Sequence, residues 1–134
     1  MKMRLGEQTH EVERATLELY HLEGTEADWN LEVYAGNGKR VLLCSGIAPN
    51  PVLPGPTPMQ LQFVDDPDVL QIDGQDGAFT SSPDRGQLVV REVDGRVRVE
   101  GRVPLWWNPF ESGAQRTLDL GLDVTVELNE RRST

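Results

Sequence analysis

Cysteine is almost absent from this chain. Among its 134 residues only Cys44 is a cysteine, so an intrachain disulfide and a metal cluster built on several cysteines are excluded. Cys44 follows the apolar run Val41-Leu42-Leu43, and we expect it to be a small buried residue. No segment approaches the roughly 20 apolar residues of a transmembrane helix. The first residues also lack the apolar stretch of a signal peptide. We therefore expect a cytoplasmic protein.

Positive charge is scarce as well. The chain has 13 basic and 22 acidic residues, a formal net charge of −9, and its only lysines are Lys2 and Lys39. Nucleic-acid-binding proteins concentrate lysine and arginine on one face, and anionic membranes attract the same side chains. The charge therefore argues against nucleic acid and membrane as partners. It is compatible with a protein partner, and it also keeps a soluble protein dispersed.

Recognisable catalytic motifs are missing. Histidine is the commonest general base and metal ligand near neutral pH, and it occurs only at His10 and His21. His10 and Glu11 begin a zinc-protease pattern, but Arg14 stands where the second histidine ligand is required. His21 shares parity with the apolar residues before it, so we expect a hydrogen-bonded histidine near the end of the core. The sequence predicts no enzyme, no catalytic or metal-binding residue and no cofactor.

Two segments in the middle of the chain are rich in aspartate or proline. The aspartates of the first are Asp65, Asp66, Asp68, Asp73, Asp76 and Asp84. Carboxylates on loops can bind Ca²⁺, but this spacing matches neither an EF-hand nor a glycine-rich nonapeptide array. Aspartate also favours ordinary turns, which is the interpretation we prefer. Residues 48–58 hold five of the nine prolines and predict a stiff surface connector.

What the sequence does contain is strict alternation. From residue 118 to residue 128, every even position is apolar and every odd position is polar or glycine. Side chains on a strand alternate between its two faces, so this pattern predicts a long β-strand with one buried face. Gly121 is the expected place for the strand to bend. A bulge there would put the apolar residues out of phase, so we expect curvature without a bulge.

Two tight turns predict hairpins. Asp94-Gly95 joins two alternating segments, and both residues tolerate the positive φ of a type I′ turn. In this register Arg91 lies opposite Arg98, a like-charge pair that a carboxylate or a partner must screen. Asn37-Gly38 joins a second pair of apolar segments in the same way.

Further strands are predicted at 16–22, 59–64 and 69–72, and a short one at 78–80. Eight or nine strands without a convincing amphipathic helix indicate one all-β domain over residues 1–134. We expect an antiparallel β-sandwich or a jelly-roll-like fold, with a closed small β-barrel as the alternative.

The aromatic segment 104–110 is the best candidate for a binding site. It contains Trp106, Trp107 and Phe110, which we predict as binding residues. Adjacent strand residues point to opposite faces, so the two tryptophans cannot enter the same core. Parity with Val103 and Leu105 places Trp107 inside and Trp106 outside. Exposed aromatic side chains favour binding because they offer large contact areas at little cost in rotamer entropy.

These observations favour a non-enzymatic binding or protein-interaction module with an acidic surface. Bacterial accessory and toxin-neutralising proteins are classes with this size and charge. One alternative is a small-ligand-binding β-barrel with an apolar cavity. The other is a carbohydrate-active or metal-dependent β-fold enzyme that uses the aspartate-rich turns or His21.

Overall fold

The computed structural model describes residues 1–21, 26–48, 59–63, 70–72, 75–81, 87–110 and 116–132. Its regular structure is entirely β. The ten strands are β1 (Lys2–Leu5), β2 (Gln8–His21), β3 (Ala27–Ala35), β4 (Arg40–Ala48), β5 (Met59–Phe63), β6 (Leu70–Ile72), β7 (Gln75–Ser81), β8 (Gln87–Val93), β9 (Arg96–Pro109) and β10 (Arg116–Arg132). The sandwich-like all-β fold predicted from the sequence is confirmed. In the described part of the chain, no helix is long and apolar enough to cross a membrane.

The alternating segment forms most of β10. Its even-numbered residues are buried from Leu118 to Val126, and Leu128 is half-buried. The pairing of β10 with β9 runs without a register shift from Arg116, opposite Trp107, to Val126, opposite Val97. The predicted absence of a bulge is therefore confirmed, and one apolar face extends along the strand.

Both predicted hairpins are present. Asp94 and Gly95 have φ angles of 52° and 77°, the left-handed values that a type I′ turn requires at its two central positions. In the second hairpin Gly38 has φ 79°, and the Ala35 amide donates a hydrogen bond of 2.8 Å to the Lys39 carbonyl. The turn residues thus set the register of β8 with β9 and place β3 beside β4.

The beginning of the chain differs from the prediction. β1 was not predicted, and β2 begins at Gln8 instead of near residue 16, so the strand count is ten instead of eight or nine. β1 has only four residues, but it alternates: Met3 and Leu5 are buried while Lys2 and Arg4 are exposed. The first part of β2 is mostly polar, and its pairing with β1 makes it a strand.

One strand pair is parallel, against the expectation of a wholly antiparallel sheet. β1 pairs antiparallel with both β10 and β2, so these two strands run in the same direction on either side of it. Beyond the N-terminal end of β1, β10 and β2 pair directly from Glu127, which lies opposite Thr16. At the junction the Val12 amide donates a 2.8 Å hydrogen bond to the Met1 carbonyl.

Every strand of the described ranges pairs with at least two others. β9 illustrates the arrangement: one side pairs with β10, while the other pairs with β8 up to Arg102 and with β7 from Leu105 onwards. Pro104 lies between these two stretches. Proline lacks a backbone donor, so the place where a strand changes partner tolerates it best. β9 therefore stays continuous through Pro104.

The apolar faces of the strands form one core. The largest of its fully buried side chains are those of Trp29, Trp107, Met3, Leu17, Leu19, Leu31, Leu42, Leu61, Leu88, Leu105 and Leu120. Cys44 is also buried, as expected, and burial raises the pKa of its thiol. The Cys44 thiol thus behaves as a core side chain.

Candidate functional site

The aromatic segment lies at the end of β9. Leu105 and Trp107 are buried, with 0% and 1% of their surface exposed, while Trp106 is 54% and Phe110 is 61% exposed. Strand parity in the sequence predicts that Trp107 lies inside and Trp106 outside, and the structure places both side chains in this way. Of the three predicted binding residues, Trp107 belongs to the core, and Trp106 and Phe110 face outward. We call these two side chains the aromatic surface.

Close packing fixes Trp107 beneath this surface. Gly77 of β7 pairs with Pro109 two residues further along β9. A Cβ atom on Gly77 would lie 2.4 Å from Trp107 Nε1 and 2.8 Å from the Asn108 carbonyl oxygen. Only glycine fits so close to the indole. Because Trp107 is held inward, the strand must direct Trp106 outward.

The outer face beside the aromatic surface is polar. Trp106 lies opposite Thr117 of β10, and Pro104 lies opposite Asp119 on the same strand. Arg102 Nη2 is 2.7 Å from Asp119 Oδ2. The nearest arginine along β9 is therefore engaged within the chain.

The predicted like-charge pair is present further along this face. Arg91 lies directly opposite Arg98. Arg98 pairs with Asp123, and Arg91 Nε lies 2.7 Å from Glu100 Oε1, close enough for an ion pair although its N–H is not aligned for a hydrogen bond. Each arginine thus has a carboxylate neighbour. These exposed pairs relieve the repulsion but add little stability.

A groove of about 490 Å³ opens next to the aromatic surface. Its floor includes the buried apolar side chains of Leu5, Ile72 and Leu118, and its rim includes Glu7 and Thr117. The Gly6 amide donates a 2.8 Å hydrogen bond to the Asp119 carbonyl, which ties the β1–β2 turn to β10. Thr117 links the two features, because it lines the groove and lies opposite Trp106.

A second groove, of about 430 Å³, lies near the β3–β4 turn. Within it the Arg14 guanidinium lies 4.4 Å from the centre of the Tyr34 ring. The Tyr34 hydroxyl donates a hydrogen bond to Glu32, and this bond, helped by burial and the negative charge of Glu32, raises the pKa of Tyr34. Arg40 Nη1 in turn lies 3.8 Å from Glu32. These polar groups are engaged with one another and join β2, β3 and β4.

Within the described ranges, the other residues considered for chemistry do not assemble into a centre. His21 Nε2 lies 3.0 Å from Glu130 Oε2, and His10 is on β2 with its Nε2 buried and without a hydrogen-bond partner in the described ranges. In the same ranges, no group of three histidine, cysteine, aspartate or glutamate side chains could hold a metal ion. Most of the aspartate-rich turns, the side chain of Asp76 and residues 49–58 lie outside the described residues.

The sequence did not predict the groove beside Thr117, because it did not predict β1. Its lining comes from the β1–β2 turn, the end of β6 and the start of β10, which are far apart in the chain. The available signal was short: Met3 and Leu5 alternate with Lys2 and Arg4, and Gly6 follows with φ 62° in the structure.

Comparisons with known proteins add no functional information. No family model, curated protein or solved structure matches the chain.

Proposed function

We propose that this chain is a non-enzymatic protein-interaction module that acts in the cytoplasm and contacts its partner through the aromatic surface. The observation that carries the proposal is the exposure of Trp106 and Phe110, at 54% and 61%. Tryptophan is enriched among the residues that dominate binding energy at protein interfaces, because its large rigid side chain loses little entropy on contact.

The strand pairing favours recognition through side chains. A peptide can add to a sheet only where a strand edge is unpaired. Each of the ten described strands pairs with at least two others in one sheet, so most of the strand edges are already occupied. A partner that meets this fold is therefore expected to contact outward side chains, and the aromatic surface offers the largest of them.

Charge supports a protein partner with a basic surface. The chain carries a net charge of −9, and Arg102, the arginine of β9 nearest to Trp106, is paired with Asp119. Complementary charge speeds encounter and selects among partners more than it adds affinity. We therefore assign the binding energy to Trp106 and Phe110, and the long-range attraction to the acidic surface.

The test compares two variants as bait in lysate of the source cells, with quantitative mass spectrometry of the retained proteins. Trp106→Ala removes the main contact, and Tyr20→Ala removes a comparable exposed aromatic side chain, 43% exposed, from β2. We expect Trp106→Ala to lose a stoichiometric partner that the wild type and Tyr20→Ala both retain.

Thermal unfolding of the same variants separates binding from folding. Exposed substitutions usually change stability by less than about 0.5 kcal/mol, so both variants should melt close to the wild type. Equal retention of every wild-type partner by Trp106→Ala would contradict the proposal. A stability loss of about 3 kcal/mol would instead show that Trp106 acts as a core residue.

A further inference from the structure

We infer that the groove beside Thr117 receives a lysine or arginine side chain of the protein partner. This inference rests on the proposed function, since it assigns a specificity pocket next to the aromatic surface. The argument uses the groove's floor, its charge and its neighbour, Trp106.

The floor suits the aliphatic part of a basic side chain. Leu5, Ile72 and Leu118 line the groove and are only 4%, 3% and 7% exposed. Lysine and arginine place their methylene groups along apolar surface while the charged head remains near water or a carboxylate. An open groove with an apolar floor and a polar rim therefore matches a side chain that is itself apolar along its stem and charged at its tip.

The rim supplies a carboxylate that forms no ion pair within the described residues. Glu7 is exposed on the β1–β2 turn, and none of the ion pairs among the described residues includes it. The arginine nearest in sequence, Arg4, donates a 2.8 Å hydrogen bond from Nε to the Gly6 carbonyl. A hydrogen bond between a cationic group and a carboxylate is about twice as strong as one between neutral groups. An acidic side chain of a partner would be repelled at the same place.

Trp106 is a second group near the groove that favours a basic side chain. It lies opposite Thr117, the residue that also lines the groove. A guanidinium or ammonium group is attracted to the face of an indole, and this protein already contains such a contact between Arg14 and Tyr34. A basic side chain bound beside Thr117 would thus have an aromatic ring on the neighbouring strand.

The test is a ¹⁵N-NMR titration of the whole chain with four small probes. Nα-acetyl-arginine amide and Nα-acetyl-lysine amide carry the charge, whereas Nα-acetyl-citrulline amide and Nα-acetyl-norleucine amide are their uncharged counterparts. We expect the charged probes to cause saturable shifts of the Gly6, Glu7 and Thr117 amides. Affinity for either charged probe supports the inference, and the stronger of the two identifies the preferred head group.

Two glutamate-to-glutamine variants test whether the carboxylate of Glu7 is the group that binds the charged probes. Glu7→Gln should weaken binding of the charged probes about tenfold, whereas Glu13→Gln, which removes the same charge from the second groove, should leave it unchanged. Equal shifts with norleucine amide, or equal weakening by both variants, would overturn the inference. Neither result depends on the bait experiment, because the probes test the groove and Trp106→Ala tests the aromatic surface.

Discussion

Replacing Gly77 by alanine tests the packing that directs Trp106 outward. The new methyl group would lie 2.4 Å from Trp107 Nε1, 2.9 Å from Trp107 Cε2 and 2.8 Å from the Asn108 carbonyl oxygen. Carbon atoms in contact normally lie about 3.5–4.0 Å apart. The indole therefore has to move by roughly an ångström, and the backbone of β9 restricts that movement on one side.

The magnitude follows from the burial of Trp107. This side chain is only 1% exposed, so a shift of its ring disturbs packed neighbours. Adding a methyl group to a well-packed core typically costs about 1–3 kcal/mol. For a domain of this size, each kcal/mol lowers Tm by about 4 °C. We therefore expect Gly77→Ala to reduce the free energy of unfolding by about 2 kcal/mol.

Urea unfolding monitored by tryptophan fluorescence measures this change, and Gly36→Ala is the matched control. A Cβ atom on Gly36 would meet no atom within 4 Å. Its substitution is expected to be neutral or to stabilise by up to about 1 kcal/mol, because alanine restricts the unfolded chain. If Gly77→Ala and Gly36→Ala unfold at the same urea concentration, Trp107 is not packed against β7 as described.

Two further substitutions test the core. Leu122→Asp places a carboxylate on the buried face of β10, where Leu122 is 5% exposed, and should prevent folding; a soluble variant that melts cooperatively would contradict the assignment of this face. Because burial raises the pKa of Cys44, the unfolded chain loses this proton first as pH rises, so the free energy of unfolding falls above the ordinary thiol pKa of 9.0. Cys44→Ala should flatten that fall by up to about 1.4 kcal/mol per pH unit in urea unfolding, and an unchanged slope would refute the linkage.

Local signals predicted the parts of this fold that depend on neighbouring residues. The alternation in β10 and the Asp94-Gly95 turn each specify their own geometry, because period-two burial and positive φ are properties of short segments. β1 and the parallel pairing of β2 with β10 depend on contacts such as Lys2 with Asp123, which lie at opposite ends of the chain. Four alternating residues give too weak a signal to predict such a contact.

The candidate site also has a part that local sequence signals predicted and a part that they did not. Strand parity predicted the opposite orientations of Trp106 and Trp107, and it held through Pro104 because β9 pairs with β10 there without a register shift. The groove could not be predicted, since its lining comes from three separate elements. Glu7 in particular gave no sign of function in the sequence, because an exposed glutamate beside glycine is typical of any turn.

Trp106 is exposed because of the register of β9 with β10. The fold itself does not require a tryptophan at this position. β9 pairs with β10 continuously from Arg116 to Val126, and a slip by one residue would bring Trp106 inside only by moving Leu105 and Trp107 to the surface. Burying these two side chains is worth several kcal/mol, so a slip of the register cannot bury Trp106. A polar residue at this position would keep the same register and the same core. Under the proposed function the indole contacts another molecule, so Trp106 is the residue on which that proposal should be tested first.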